Sequence, residues 1–277
     1  MSNRRKFDWS DFTDPESCLD LYGYSVRWGL SSEEYSDSDV FRAVALTDSF
    51  ALTANQLMAI LSCTQPKTIL DIGCGTGILT KKLASHYPTA TIDAIDQSPA
   101  MIQQLREQNI SNVSAICADY AEQSSGKQYD LIASNAALHW MDINQSLNKI
   151  ATELNPTGQC YVAIFGRNTA PELESLLPKI GKNQSLPAQQ FPTNQQLSDI
   201  GNRYFSDWGI VTEAITIPFD SITQLLTTQK KTGVNANRPT ELWTPTTLTV
   251  LESAFIEHYN QVQLTYNIHF CSGRKLQ

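Results

Sequence analysis

The stretch "ILDIGCGTGILT", residues 69–80, limits the possible folds of this chain more than any other. An apolar run ends in an aspartate, breaks into alternating glycines and resumes with helix formers. A buried strand turning through glycines into a helix is the opening of a βα unit, the building block of parallel sheets. The unit then repeats. "KTILDIG" reads as a strand and "ILTKKLASHYP" as a helix stopped near Pro88; "TATIDAID" is a second strand, followed by the helix "SPAMIQQLREQN". Ser98 suits the N-cap of that helix and Pro99 its first position. "VSAICAD" and "YDLIASNA" are the third and fourth strands. Helix "INQSLNKIATELN" closes on "PTGQ", and "CYVAIF" makes a fifth strand. Alternation of this kind predicts an α/β fold with a doubly wound, mostly parallel sheet. Its ligand should lie at the carboxyl ends of the strands, near the switch in strand order.

Outside residues 43–166, the expected core, the pattern changes. Residues 1–42 are acidic and serine-rich at "SSEEYSDSD" and carry Trp9, Tyr22, Tyr24 and Trp28, an extension or a lid. From Ala43 to Leu61, apolar residues at helical spacing suggest a helix packed on the core. Residues 167–208, rich in Gln, Asn and Pro, read as a cap insertion. Residues 209–277 supply two more strands, "GIVTEAITIPF" and "VQLTYNIHFCSG", the last expected antiparallel, and two helices between them. Seven strands result.

Charge and cysteine usage narrow the function. A net charge of -8 argues against nucleic acid and anionic membranes as partners. Six singly placed cysteines (18, 63, 74, 117, 160, 271) form no metal-ligand spacing and fit reduced thiols in a cytoplasmic protein. No metal is expected, nor any membrane helix, which needs roughly 18 consecutive apolar residues.

Gly73, Gly75 and Gly77 give G-x-G-x-G, whereas the dinucleotide fingerprint carries its third glycine where this chain has Ile78. The acids decide more. Asp71, Asp96 and Asp119 end three consecutive predicted strands and would converge on one cleft. A pyrophosphate there would meet repulsion. A ligand with a cation and hydroxyls would be welcomed. Asp96 is placed to take two ribose hydroxyls, Asp119 an exocyclic purine amine and Asp71 an ammonium, directly or through water. S-adenosylmethionine has all three features and no phosphate.

"LDIGCGTG", "IDQSPAMI", "CADY", "YDLIASNAALHW" and "LNPTGQCYVAIF" together resemble the ordered motifs of class I S-adenosylmethionine-dependent methyltransferases, a likeness over about residues 43–165. "SNAALHWM", "FGRNTAPELESL", "FDSITQLLTTQKKTG" and "LTYNIHFCSGRK" extend a looser likeness to the malonyl-carrier-protein carboxyl methyltransferase and trans-aconitate methyltransferase group. The resemblance implies the Rossmann-like methyltransferase fold. It also implies that the backbone from Gly73 through Cys74 and Gly75 to Gly77 packs against the methionine and ribose, with Asp71 near the amino group. Asp96 would bind ribose, Gln97 and Met101 would flank the adenine, and Asp119 with Tyr120 would reach its amine and face. Ser134 or Asn135 would line the methionine end, and His139 and Trp140 would begin the acceptor side.

Methyl transfer from a sulfonium needs mainly proximity, alignment and desolvation. A carboxylate acceptor needs no base; for a phenol or protonated amine, His139 is the candidate. The expected acceptor is a small molecule or an acyl-carrier-bound group, with carboxyl O-methylation the favoured chemistry, S-adenosylhomocysteine the product, and a monomer or weak dimer as the working form. In one respect the chain departs from that group: Phe50 stands where a carboxylate-orienting Gln is expected, and Gln56 lies nearby in a different register. The alternatives are N-, O- or C-methylation of a specialised metabolite and a cofactor-binding module without turnover. A nicotinamide oxidoreductase is a more distant one. Lys230, Lys231 and Arg238 could greet an acidic carrier or form a solvated basic face.

Overall fold

A computed structural model describes residues 47–61, 65–123, 126–182, 185–232 and 244–276. The expected extension at 1–42, Arg238 and the side chains of Lys230 and Lys231 lie outside the described residues. Helix α1 (Thr47–Ile60) is followed by β1 (Thr68–Ile72), α2 (Ile78–His86), β2 (Thr91–Asp96), α3 (Pro99–Glu107), β3 (Val113–Cys117) and β4 (Tyr129–Asn135). Then come a 3-10 turn at Leu138–Trp140, α4 (Ile143–Glu153) and β5 (Leu154–Phe165). The remainder comprises α5 (Pro171–Leu176), α6 (Asn194–Tyr204), β6 (Phe205–Phe219), α7 (Ile222–Thr232), α8 (Pro245–Tyr259) and β7 (Val262–Lys275).

The seven strands form one sheet in the order β3-β2-β1-β4-β5-β7-β6. Strands β1 to β5 pair in parallel, and β7 runs antiparallel to both of its neighbours. Strand order reverses between β1 and β4, so the switch crevice opens above Asp71 and Asn135. Capping follows the local sequence. Ser98 accepts from the Met101 N–H, with Pro99 at the first helical position, and Thr193 with Gln196 forms a reciprocal capping box on α6.

Two strands run further than their sequences suggest. β5 starts at Leu154 rather than Cys160, because its first residues pair with Tyr129 before a register shift resets the ladder at Leu131 and Gln159. Gly158 sits inside that irregularity, where a Cβ would come 2.8 Å from the Tyr129 carbonyl oxygen. β6 starts at Phe205, and a bulge between Ser206 and Gly209 leaves Asp207 at φ 54°.

Apolar side chains alternate along the buried strands to both faces of the sheet. One core, around Ile69, Leu131, Phe165, Tyr266 and Phe255, lies under α1, α2, α5 and α8. The other, around Ile72, Ile132, Leu147, Val162 and Cys271, lies under α4 and α6. Residues 170–191 contribute Leu173, Leu176, Leu186 and Phe191 to the first core. Among the described residues no helix is long and apolar enough to cross a membrane, and no group of His, Cys, Asp and Glu could hold a metal ion.

Candidate active site

The glycine loop is tied to β2 through its backbone. Gly73 N and Cys74 N both donate to the Ile95 carbonyl, at 2.8 and 3.1 Å, and Gly77 N donates to the Cys74 carbonyl at 2.9 Å. Gly75 N donates to Asp96 Oδ2 at 2.9 Å. Four N–H groups that a phosphate cradle would point at its ligand are thus used within the protein.

The glycines are needed for shape. Gly73 lies at φ 65°, and a Cβ there would meet the Ala137 Cβ at 2.2 Å. Gly77, at φ 92°, would meet Leu105 at 2.5 Å, so this glycine already lets α2 pack closely against α3. The dinucleotide spacing is not required for that contact.

Asp71, Asp96 and Asp119 stand at the ends of neighbouring strands, as expected. Asp71 is fully buried, with Oδ2 accepting from the Thr80 hydroxyl at 2.6 Å. Thr80 escaped the sequence reading; the only signal was a hydroxyl on the buried side of α2 beside Leu79 and Leu83. Asp96 is 2 % exposed, and besides Gly75 it accepts the Ser98 N–H at 2.9 Å. Gln97 follows it, half-buried. Asp119 is half-buried and caps its own turn by accepting the Ala121 N–H at 2.8 Å.

At the end of β4 the Ser134 hydroxyl donates to the Ile72 carbonyl at 2.8 Å. Asn135 Nδ2 donates to the Phe50 carbonyl at 3.1 Å, which fixes the amide so that its buried Oδ1 has no hydrogen-bond partner among the described residues. Asn135 and Asp71, with Phe50, Gly73, Cys74 and Thr76, line a narrow pocket of about 20 Å³. A buried, unanswered acceptor beside a carboxylate suits a cationic donor. The residues therefore fit the amino end of S-adenosylmethionine.

Two expected adenine contacts are placed differently. Met101 is wholly buried in the first core. Tyr120 turns its ring into the second core, and its hydroxyl donates to Glu153 Oε2 at 3.1 Å. Burial, with the Glu153 carboxylate adding to it, pushes that hydroxyl's pKa well above the ordinary tyrosine range. An aromatic beside a strand end gains more by burying its ring over a partnered hydroxyl than by facing water. The ring of Tyr120 therefore anchors the Asp119 turn rather than facing the cleft.

His139 and Trp140 belong to an aromatic cluster. His139 is buried, its ring 4.9 Å from Trp140, 4.9 Å from Phe165 and 4.6 Å from Phe191. Trp140 meets Phe191 edge-on at 5.1 Å, and Phe165 also touches Phe50 at 5.9 Å and Tyr266 at 5.6 Å. Only His139 and Trp140 of this wall were foreseen. The others come from elements far apart in the chain. Gln56 takes no part in the wall: its side-chain amide donates to Glu213 on β6.

Comparison with known proteins gives the family and the fold. A family model described as a methyltransferase domain matches residues 69–158. A malonyl-[acyl-carrier protein] O-methyltransferase of Acetivibrio thermocellus is 32% identical over 225 residues, covering 75% of this chain and 79% of the relative. The enzyme of the same name from Priestia megaterium is 38% identical over 157 residues, 53% of this chain, and the match spans only 57% of the relative's length. Among solved structures, YcgJ of Bacillus subtilis superposes with a TM-score of 0.55 at 16% identity, over 83% of this chain and 99% of that one. The phosphoethanolamine N-methyltransferase 2 of Haemonchus contortus gives 0.53 at 16% identity, over 93% of this chain and 60% of that one. These two structures share the fold. From the similarity to the Acetivibrio relative and the matched domain, the chain belongs to the class I S-adenosylmethionine-dependent methyltransferases and resembles the malonyl-[acyl-carrier protein] O-methyltransferases within them.

Proposed function

We propose that this protein transfers a methyl group from S-adenosylmethionine to a carboxylate oxygen of an acceptor, and that the acceptor is carried on an acyl-carrier protein. The observation that carries the cofactor half is the donor and acceptor balance of the cleft. The N–H groups of Gly73, Cys74, Gly75 and Gly77 are spent inside the protein, while Asp71, Asp96 and the Asn135 amide oxygen offer acceptors. The names of the curated relatives support the acceptor half.

The bound cofactor supplies a methyl carbon already activated by the sulfonium. The chain's own residues bind, orient and exclude water. Asp71 and Asn135 fix the amino end, Asp96 the ribose, and Asp119 the adenine amine. The wall of His139, Trp140, Phe165 and Phe191 keeps the reacting end dry, which favours neutralisation of a sulfonium by a carboxylate. Its ring faces also tolerate a positive charge nearby. A carboxylate is its own nucleophile, so His139 acts as packing and is not required as a base. A specialised-metabolite acceptor is the second reading, favoured by Phe50, which puts an apolar ring where a carboxylate-orienting amide is expected. A reduced cytoplasmic setting and a monomeric or weakly dimeric enzyme complete the proposal.

Labelled methyl donor should be offered with malonyl carrier protein, free dicarboxylates, phenols and indole-type amines, and the labelled product treated with mild base. Methanol release from the malonyl carrier protein product is the expected result. A base-stable product overturns carboxyl methylation. No product from any acceptor, with S-adenosylhomocysteine still binding in calorimetry, favours a binding module.

A further inference from the structure

The turn that carries Asp119 hangs from β3, which among the described residues is the edge strand of the sheet, beside β2. It is closed internally: Glu122 N and Gln123 N both donate to the Asp119 carbonyl, at 3.2 and 2.9 Å. Asp119 Oδ1 takes the Ala121 N–H, so Oδ2 is the oxygen left to face a ligand. The start of the turn is tied down, by Ala118 N donating to the Asp96 carbonyl at 3.0 Å and by the Tyr120 ring in the second core, whereas its far end bonds back to Asp119 through Gln123 N. Something must fix its aim.

Lys149, on α4, does this from outside the turn. Its ammonium donates to the backbone carbonyls of Tyr120 and of Gln123, one near each end of the turn. It lies 4.3 Å from the centroid of the Tyr120 ring and 3.9 Å from Glu153 Oε1. Tyr120 closes the circuit through its hydroxyl on Glu153. The Lys149 side chain is 20% exposed and that of Glu153 13%, so both charges are largely withdrawn from water. Exposed lysines gain little from a single partner. A withdrawn ammonium with two carbonyls, a ring face and a carboxylate is a structural clamp.

We propose that Lys149 is a positioning residue for cofactor recognition: by pinning Tyr120 and Gln123 it holds the Asp119 carboxylate where it selects an adenine amine over a purine carbonyl. The inference rests on the reading that Asp119 accepts from that amine. It goes beyond that reading by placing base selectivity in a residue that does not touch the ligand. Loosening the clamp would let the carboxylate swing, so contact with the amine weakens more than the rest of the cofactor's contacts.

The test compares the calorimetric affinity of S-adenosylhomocysteine with that of S-inosylhomocysteine, which replaces the amine by a carbonyl. The wild-type protein should prefer the adenosyl form by about tenfold or more, as expected for a hydrogen bond to a charged group. Lys149→Met should bind the adenosyl form more weakly and narrow the preference to about twofold. Lys149→Arg, which can still reach two carbonyls, should restore most of it. Lys149→Gln must show the same narrowing if Lys149→Met does not fold. If these variants weaken both ligands equally and leave the preference intact, Lys149 is merely structural and the proposal falls. If the wild-type protein shows no preference and Asp119→Ala binds like wild type, the reading of Asp119 itself fails.

Discussion

The two ends of the cleft are built by opposite means. The cofactor end is polar and local: its acids, glycines and amide come from residues 71–135, each placed by the strand it terminates. The acceptor end is apolar and assembled at a distance, from Phe50 on α1, the 139–140 turn, Phe165 on β5, Phe191 before α6 and Tyr266 on β7. Backbone hydrogen bonds fix the first. The second is fixed by packing, which tolerates exchange of one ring for another of similar volume.

The sharpest way to break the contrast is at the loop. Gly73→Val would drive a side chain into Ala137 from a left-handed backbone; the clash and the backbone conformation together cost about 3 kcal/mol. A fall in Tm of about 10 °C, read by thermal melts, and loss of measurable S-adenosylhomocysteine binding are expected. Next comes Asp96→Ala, which removes the acceptor for Gly75 and Ser98 as well as the proposed ribose contact. Calorimetry should show the affinity for S-adenosylhomocysteine falling about 100-fold. Unchanged affinity would end the ribose assignment.

The acceptor wall should respond differently. Trp140→Ala removes an edge-on contact with Phe191 and a tilted one with His139. The KM for acceptor should rise about fivefold, with S-adenosylhomocysteine affinity moving less than about twofold. A large loss of cofactor affinity would show that the two ends are not separable.

The smallest effect lies at the far end of the same strands and serves as the control. Asp130 accepts the Lys67 and Thr68 N–H groups at 2.8 and 3.1 Å and the Asn155 amide at 2.6 Å. Burial works to raise its pKa, but these hydrogen bonds prevail and hold it below the ordinary 3.8. A depressed carboxylate pKa stabilises the fold above the ordinary value, and that contribution is lost as pH falls through the depressed one. Because the group is only half-buried, the effect is discounted to about 2 °C in Tm between wild type and Asp130→Ala. The gap should be full above about pH 5, shrink in more acidic buffer, and leave cofactor affinity untouched at neutral pH.

Much of the cofactor end was legible in the chain. The acids ended their strands where the apolar runs stopped, and Ser98 capped α3 beside Pro99 as its chemistry demands. The direction of each side chain was less accessible. Met101 and Tyr120 lie in motifs that resemble adenine contacts, yet both are turned into the core. Thr80 gained its part only because α2 packs back over Asp71.

By itself the sequence determined the order of βα units, the glycine turn and the three acids at consecutive strand ends, because capping, periodicity and steric freedom act over a few residues. Tertiary structure alone decided that β5 begins at Leu154 and β6 at Phe205, since their extra residues are held by ladders to partner strands distant in the chain. It also decided which rings gather around His139 and Trp140 and how Lys149 reaches the Asp119 turn. Those are contacts between residues tens of positions apart, and no local preference specifies them.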